Sequence, residues 1–225
     1  MSNADLSELE RELLETEHLD ENEEQLTAQN VLDVLEKAWL NEKFSPEILP
    51  HKSEYVECML EQIKFMESNI NLLQSTDIQV EIYRFELERI RFIITSYLRC
   101  RLKKIEQFAS YILDQEKDRN VDERYLSESE LKFAMEFVQH LDTHFNSVLK
   151  EMPWNLQTIE PANKNIKPNM NSYVFLRSNK TVSNVIVKDV FENRDEDVEL
   201  LENSQHLLPY SCIANYVKEK SVQLL

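Results

Sequence analysis

The 225-residue chain contains no glycine. That absence excludes the glycine-rich phosphate loops GxxxxGK[ST] and GxGxxG, and a GxSxG nucleophile elbow with them. Any position that needs a positive φ must be filled by another residue, and Asn or Asp is the least strained substitute. Asn is frequent where turns are expected, at Asn163, Asn165, Asn169, Asn171, Asn179, Asn193 and Asn203. Cysteine is scarce. Cys58, Cys100 and Cys212 are far apart and odd in number, which suits a reducing compartment and gives no disulfide framework. No apolar run approaches 18 residues and no secretory h-region is present, so a secreted or membrane-spanning chain is not expected. Positive charge is also short. The formal net charge is −17, which disfavours nonspecific binding to bare nucleic acid or an anionic membrane.

The charge is uneven. Residues 1–30 hold ten acids and one base, Arg11, a local charge of −9. Residues 1–26 read as an acidic, disordered tail. The alternative is a docking peptide that becomes helical on a partner, with Leu6, Leu9 and Leu13 at helical spacing.

The cations concentrate in one stretch, Glu86 to Phe108. Leu87, Ile90, Ile94, Leu98, Leu102, Ile105 and Phe108 follow the three-and-four spacing of a helix face. A second apolar line passes through Phe85, Phe92 and Tyr97. Arg89, Arg91, Arg99, Arg101, Lys103 and Lys104 share the same helix. A helix apolar on more than one side needs neighbours around it, and its cations need carboxylates from other helices or other chains.

The periodicity predicts a mainly α chain with a small β module: a four-helix-type domain over 27–151, a linker over 152–170, and a short β-rich domain over 171–225. Thr27 is the expected N-cap of the first helix, which carries Val31, Leu32, Leu35, Ala38 and Trp39 inward. Pro46 and Pro50 mark a connection. A second helix runs from Ser53 to Leu73, with Val56, Met59, Leu60, Ile63, Met66 and Ile70 inward. Ser75-Thr76-Asp77 is the next break. The third helix runs from Ile78 to about Leu113, and residues 114–126 read as a solvated loop. Ser127 and Glu130 form a capping box for a fourth helix ending near Lys150. Beyond the linker the period shifts toward two. Tyr173–Leu176, Asn184–Lys188, Val198–Leu201, His206–Leu208 and Val222–Leu225 are strand candidates, and Ser211–Val217 is a helical turn or two.

Candidate chemistry is sparse. His140 and His144 have the i, i+4 spacing of a zinc-binding face, but Leu141 stands where the metalloprotease motif needs Glu, and no third ligand is marked. Cys58 and Cys100 read as small core residues. No carboxylate pair stands out as an acid/base dyad. No catalytic residue, metal or cofactor is assigned. The basic third helix could alternatively serve a nucleic-acid-binding helical module, although no aromatic platform is interleaved with its cations.

The stretches AWLNEKFSPEIL (38–49), ERIRFIITSYLRCRLKKIE (88–106), NSYVFLRS (171–178) and SQHLLPYSCIANYVKEKSVQLL (204–225) resemble the eukaryotic GINS family, in its Sld-five type. The resemblance implies a non-catalytic structural subunit of a nuclear heterotetramer with three other GINS subunits. It also implies that the tetramer joins the minichromosome-maintenance ATPase ring and the Cdc-forty-five protein in the replicative helicase. Direct DNA contact is not expected, and a replisome adaptor is a possible partner of the tail. By motif match, Trp39, Glu42, Phe44, Arg89, Arg91, Tyr97, Leu98, Arg99, Arg101 and Lys104 would belong to the packed helical core and inter-subunit surfaces. Tyr173, Phe175, Leu176, Val222 and Leu224 would dock the β module within the tetramer. Relatives often carry a small residue or glycine in the turn before the last strand, where this chain has Glu219-Lys220.

Overall fold

Among the described residues, four helices lead into a small antiparallel β module closed by a further helix. This computed structural model describes residues 28–72, 78–120, 123–155, 166–188 and 195–225. Thr27, the Ser75–Asp77 break and the leucines of the acidic tail lie outside those residues. The helices are α1 (Ala28–Phe44), α2 (Ser53–Leu72), α3 (Ile78–Lys117) and α4 (Glu128–Lys150). The module follows as β1 (Tyr173–Ser178), β2 (Val182–Lys188), β3 (Asp195–Leu200), β4 (Gln205–Pro209), α5 (Tyr210–Lys218) and β5 (Val222–Leu224).

At about 1.5 Å per residue, the 40 residues of α3 span about 60 Å, with a non-helical break at Phe108 (φ −125°, ψ 23°). The N-terminal half of α3 packs against α1 and α2. Val31, Leu32, Leu35, Val56, Met59, Ile63, Val80, Leu87, Ile90, Ile93, Ile94 and Tyr97 belong to this first core. The C-terminal half packs against α4, through Ile105, Ile112, Leu126 and Ala134. Ser127 caps α4 as expected: its hydroxyl accepts from the Glu130 amide, and the Glu130 carboxylate accepts from the Ser127 amide at 2.9 Å.

Two expectations need correction. Leu60, Leu98 and Leu102 follow the inward periodicity but are exposed. Arg101 and Lys104 occupy the inward face instead, because buried carboxylates await them there. Residues 114–126 are not a plain solvated loop. Helix α3 continues to Lys117, and Glu116 and Leu126 are buried. The Tyr125 amide requires an acceptor inside, and Glu116 supplies both carboxylate oxygens at 3.2 and 3.3 Å.

In the module, β1 is central in the order β4-β1-β5, and all its pairings are antiparallel. Strands β2 and β3 form a separate ribbon. The strands β1 and β2 follow one another in the chain but do not pair. Val174, Leu176, Val222 and Leu224 point inward onto Tyr210, Ile213 and Val217 of α5.

Three residues carry positive φ. Asn184 sits at the register shift between Val182 and Val185, and Asn203 lies between β3 and β4. Both are the substitution expected of a chain without glycine. The third is Lys220 (φ 62°). It closes α5 in a Schellman arrangement: the Ser221 amide donates to the Tyr216 carbonyl (3.0 Å) and the Lys220 amide to that of Val217 (3.2 Å). A side chain with a Cβ costs roughly 1–2 kcal/mol in this conformation. Lys220→Gly should therefore stabilise the chain by about 0.5–1 kcal/mol, after glycine's larger unfolded-state entropy is subtracted. Urea denaturation of the two chains measures this, and an unchanged or lowered midpoint contradicts it.

Candidate functional site: a buried ionic hub and two open apolar faces

Arg101 is wholly buried at the crossing of α1, α3 and α4. All five of its guanidinium hydrogens are used. Nε and Nη2 donate to the two carboxylate oxygens of Glu130 at 2.7 and 2.9 Å. Nη1 donates to Glu42 (3.2 Å) and the Leu49 carbonyl (2.7 Å), and Nη2 also to the Tyr125 carbonyl (2.7 Å). Lys104, one turn on, uses all three of its hydrogens, on Glu42 (2.7 Å), the Ser45 hydroxyl (2.8 Å) and the Glu47 carbonyl (2.8 Å). Two cations and two carboxylates cancel, and no donor is left over.

The electrostatics follow from this arrangement. Burial works against the Arg101 charge, but the Glu130 hydrogen bonds and the Glu42 field outweigh it and hold its pKa above the ordinary value. For Lys104 burial dominates and lowers the pKa, with Glu42 opposing. Burial alone would raise the Glu130 carboxyl, yet hydrogen bonding to Arg101 holds it below the ordinary range. Tyr97 stacks near Arg101, with the guanidinium 5.7 Å from its ring centroid. Burial pushes its hydroxyl up to about 12. That hydroxyl lies beside the Lys52 main chain without reaching hydrogen-bond geometry.

The connection Ser45–Pro50 joins this hub to the β module. Ile48 enters the α3–α4 core, whereas Leu49 enters the core of the module. The Glu47 side chain accepts from the Tyr210 hydroxyl (3.0 Å) and Lys218 (2.9 Å). The Leu224 amide donates to Asn41 at 2.8 Å. Sequence reasoning treated Pro46 and Pro50 as ends of a connection. The adjacent apolar pair Ile48 and Leu49, held between two prolines, was the available signal.

The remaining cations of α3 differ from Arg101 and Lys104. Arg89 pairs with Glu36 and Glu86, and Arg91 with Glu67 and Glu88, all at the surface. Arg99 and Lys103 are exposed and carry no ion pair among the described residues. Arg101 finds its acids on other helices of its own chain, one of the two sources expected for the cations of this helix.

Two apolar faces stay open. On α3, opposite the core, Ile78, Ile82, Phe85 and Phe92 are 75%, 55%, 74% and 61% exposed. Phe92 meets the edge of Trp39 at 5.8 Å, and Trp39 donates its indole hydrogen to Ser96. Lys43 lies over the rings of Trp39 and Phe44. On the module, Tyr173, Phe175 and Leu207 form an outward face, with Phe175 opposite Leu207 in register. Leu176, Val222 and Leu224 do not share that face. They fill the module's own core, which corrects their reading as docking residues. Leu6, Leu9 and Leu13 lie outside the described residues. His140 and His144 are both exposed, and no group of three potential metal ligands occurs among the described residues. None of the described helices is long and apolar enough to cross a membrane.

The fold and these surfaces define a helical-bundle protein with a C-terminal antiparallel module, polar at its centre and apolar on selected outer faces. The family described as "GINS complex protein helical bundle domain" matches residues 57–149, and "DNA replication complex GINS protein SLD5 C-terminus" matches 168–225. The proteins named DNA replication complex GINS protein SLD5 are similar along nearly the whole chain. That of Rattus norvegicus is 46% identical, covering 89% of this chain and 91% of its own. That of Homo sapiens is 44% identical over the same shares, and that of Arabidopsis thaliana 30%, over 90% and 94%. The chain belongs to the SLD5 family of GINS proteins.

Removing one partner of the hub strands buried charge. Arg101→Leu should cost about 3–5 kcal/mol in chemical denaturation. Arg99→Leu, at an exposed site, should change stability by less than about 0.5 kcal/mol. Equal losses would contradict the burial difference. The Glu130 carboxyl supplies a pH signature. A pKa depressed on folding adds stability above the ordinary value of 4.5, and that stability is lost as pH falls through the folded value. The urea midpoint should therefore drop on acidification below pH 4.5, and Glu130→Gln should flatten that acid limb.

Proposed function

We propose that the chain is a non-catalytic structural subunit of the GINS complex, forming an obligate heterotetramer with three other GINS subunits in the nucleus. The tetramer joins the minichromosome-maintenance ATPase ring and the Cdc-forty-five protein and activates the replicative helicase. The observation that carries this reading is the half-used third helix. One face of α3 is filled by α1, α2 and α4, while Ile78, Ile82, Phe85 and Phe92 on the other are largely exposed. A contiguous apolar face of this kind, rimmed by the Arg89–Glu36 and Arg91–Glu88 pairs, fits a protein partner. Family membership and the name of the relatives support the GINS complex and its other subunits as partners.

The DNA-binding alternative draws less support. Six of the eight cations on α3 are matched by carboxylates, so among the described residues Arg99 and Lys103 remain to meet phosphate.

Phe85→Asp with Phe92→Asp places two charges on the open face without touching the core. Co-expression with the three partner subunits followed by size-exclusion chromatography tests the proposal. The expected result is a folded subunit, with an unchanged circular dichroism spectrum, that no longer co-elutes with the tetramer. A tetramer that survives both substitutions would overturn the assignment of this face.

A further inference from the structure

The seam between the helices and the β module holds a cavity of ≈ 230 Å³ with an unusual lining. Its walls are mostly apolar, including Val34, Ala38, Leu49 and Val222, and its rim carries Lys37, Lys52, Lys218 and Lys220; the one carboxylate of the lining, Glu42, is already held by Arg101 and Lys104. Among the described residues, Lys218 alone of the four has a carboxylate partner, Glu47. Lys37, Lys52 and Lys220 have no ion pair among the described residues. Burial first, and then the nearby Lys220 charge, press the Lys52 pKa down, while Glu54 acts the other way. In a chain of net charge −17, uncompensated ammonium groups gathered at one apolar cleft mark a place for acid.

The acid is close at hand in the chain. Residues 1–27 precede α1 directly and carry ten carboxylates, with Leu6, Leu9, Leu13 and Leu14 among them. Lys37 lies about 15 Å along α1 from the junction, at 1.5 Å per residue. An extended chain covers that distance in roughly five residues. We propose that the chain's own acidic N-terminal segment docks on this lysine-rimmed cleft, with a leucine in the apolar cavity and carboxylates on Lys37, Lys52 and Lys220.

Zero-length carbodiimide cross-linking of the full-length chain, read by mass spectrometry, tests this. Links from the acids between Asp5 and Glu24 should form with Lys37, Lys52 and Lys220. They should exceed those to the exposed Lys132 and Lys150 of α4 by about tenfold, as a tethered segment's effective concentration implies. Mixing with isotope-labelled chain should show the links within single chains. Lys52→Gln with Lys220→Gln should lower the yield at Lys37, and so should Leu13→Ser with Leu14→Ser. High salt on the unmodified chain should lower it too, which keeps the test independent of any variant's folding. Equal yields at all lysines, or links only between chains, each overturn the proposal.

Discussion

The structure depends on a buried set of four charges with nothing left over. Arg101 and Lys104 together present eight hydrogens, and each has an acceptor on Glu42, Glu130, Ser45 or a main-chain carbonyl. Taking these groups out of water is expensive, and only complete pairing makes it tolerable. Three acceptors are the carbonyls of Glu47, Leu49 and Tyr125, in connections rather than helices. The hub thereby fixes the connections as well as the helix crossings. An apolar core could hold α1, α3 and α4 together, but it could not specify where an irregular stretch of main chain must lie.

Helix α3 reverses the usual arrangement along part of its length. Its charges are inside at Arg101 and Lys104, while Phe85 and Phe92 are outside. The inversion has a physical consequence. The subunit is held together at this crossing by interactions a partner cannot easily replace. Its apolar outer face stays free for burial elsewhere. Surface pairs such as Arg89–Glu36 then contribute little to folding, because water screens them, and more to the register of a contact.

Much of this was legible in the sequence. Helical spacing located α1 to α4, and the capping box at Ser127 and Glu130 located the start of α4. The shift in period located the β module. Family-specific stretches covered the same ground. Which acids meet Arg101 was not legible, because Glu42 and Glu130 are 59 and 29 residues away and look like any other glutamate in a chain with 42 acids. The inward and outward lines of α3 were also mixed. Leu98 and Leu102 follow the apolar period, but the core of that stretch is built around a guanidinium, so they turn to the flank. Periodicity assigns apolar residues to a face; it does not reveal that a cation will hold the centre of it. Leu176, Val222 and Leu224 show the complementary case. Their alternation marks a buried sheet face without saying which chain or helix buries it.

The module is too small to be secure by its own core, and the Ser45–Pro50 connection shows how it is supported. Adjacent residues serve different cores: Ile48 belongs with Ile105 and Ile112, Leu49 with Tyr210 and Leu224. Between the two cores stands Glu47, whose carbonyl accepts from Lys104 and whose carboxylate accepts from Tyr210 and Lys218. A disturbance of the hub therefore reaches the module through a rigid hexapeptide bounded by Pro46 and Pro50, alongside the Leu224–Asn41 contact. Proline narrows the unfolded alternatives of that hexapeptide, and neighbouring packing removes the folded ones. Helices and module should unfold together rather than in sequence. The open faces of α3 and of β1 and β4 are then held in one fixed relation.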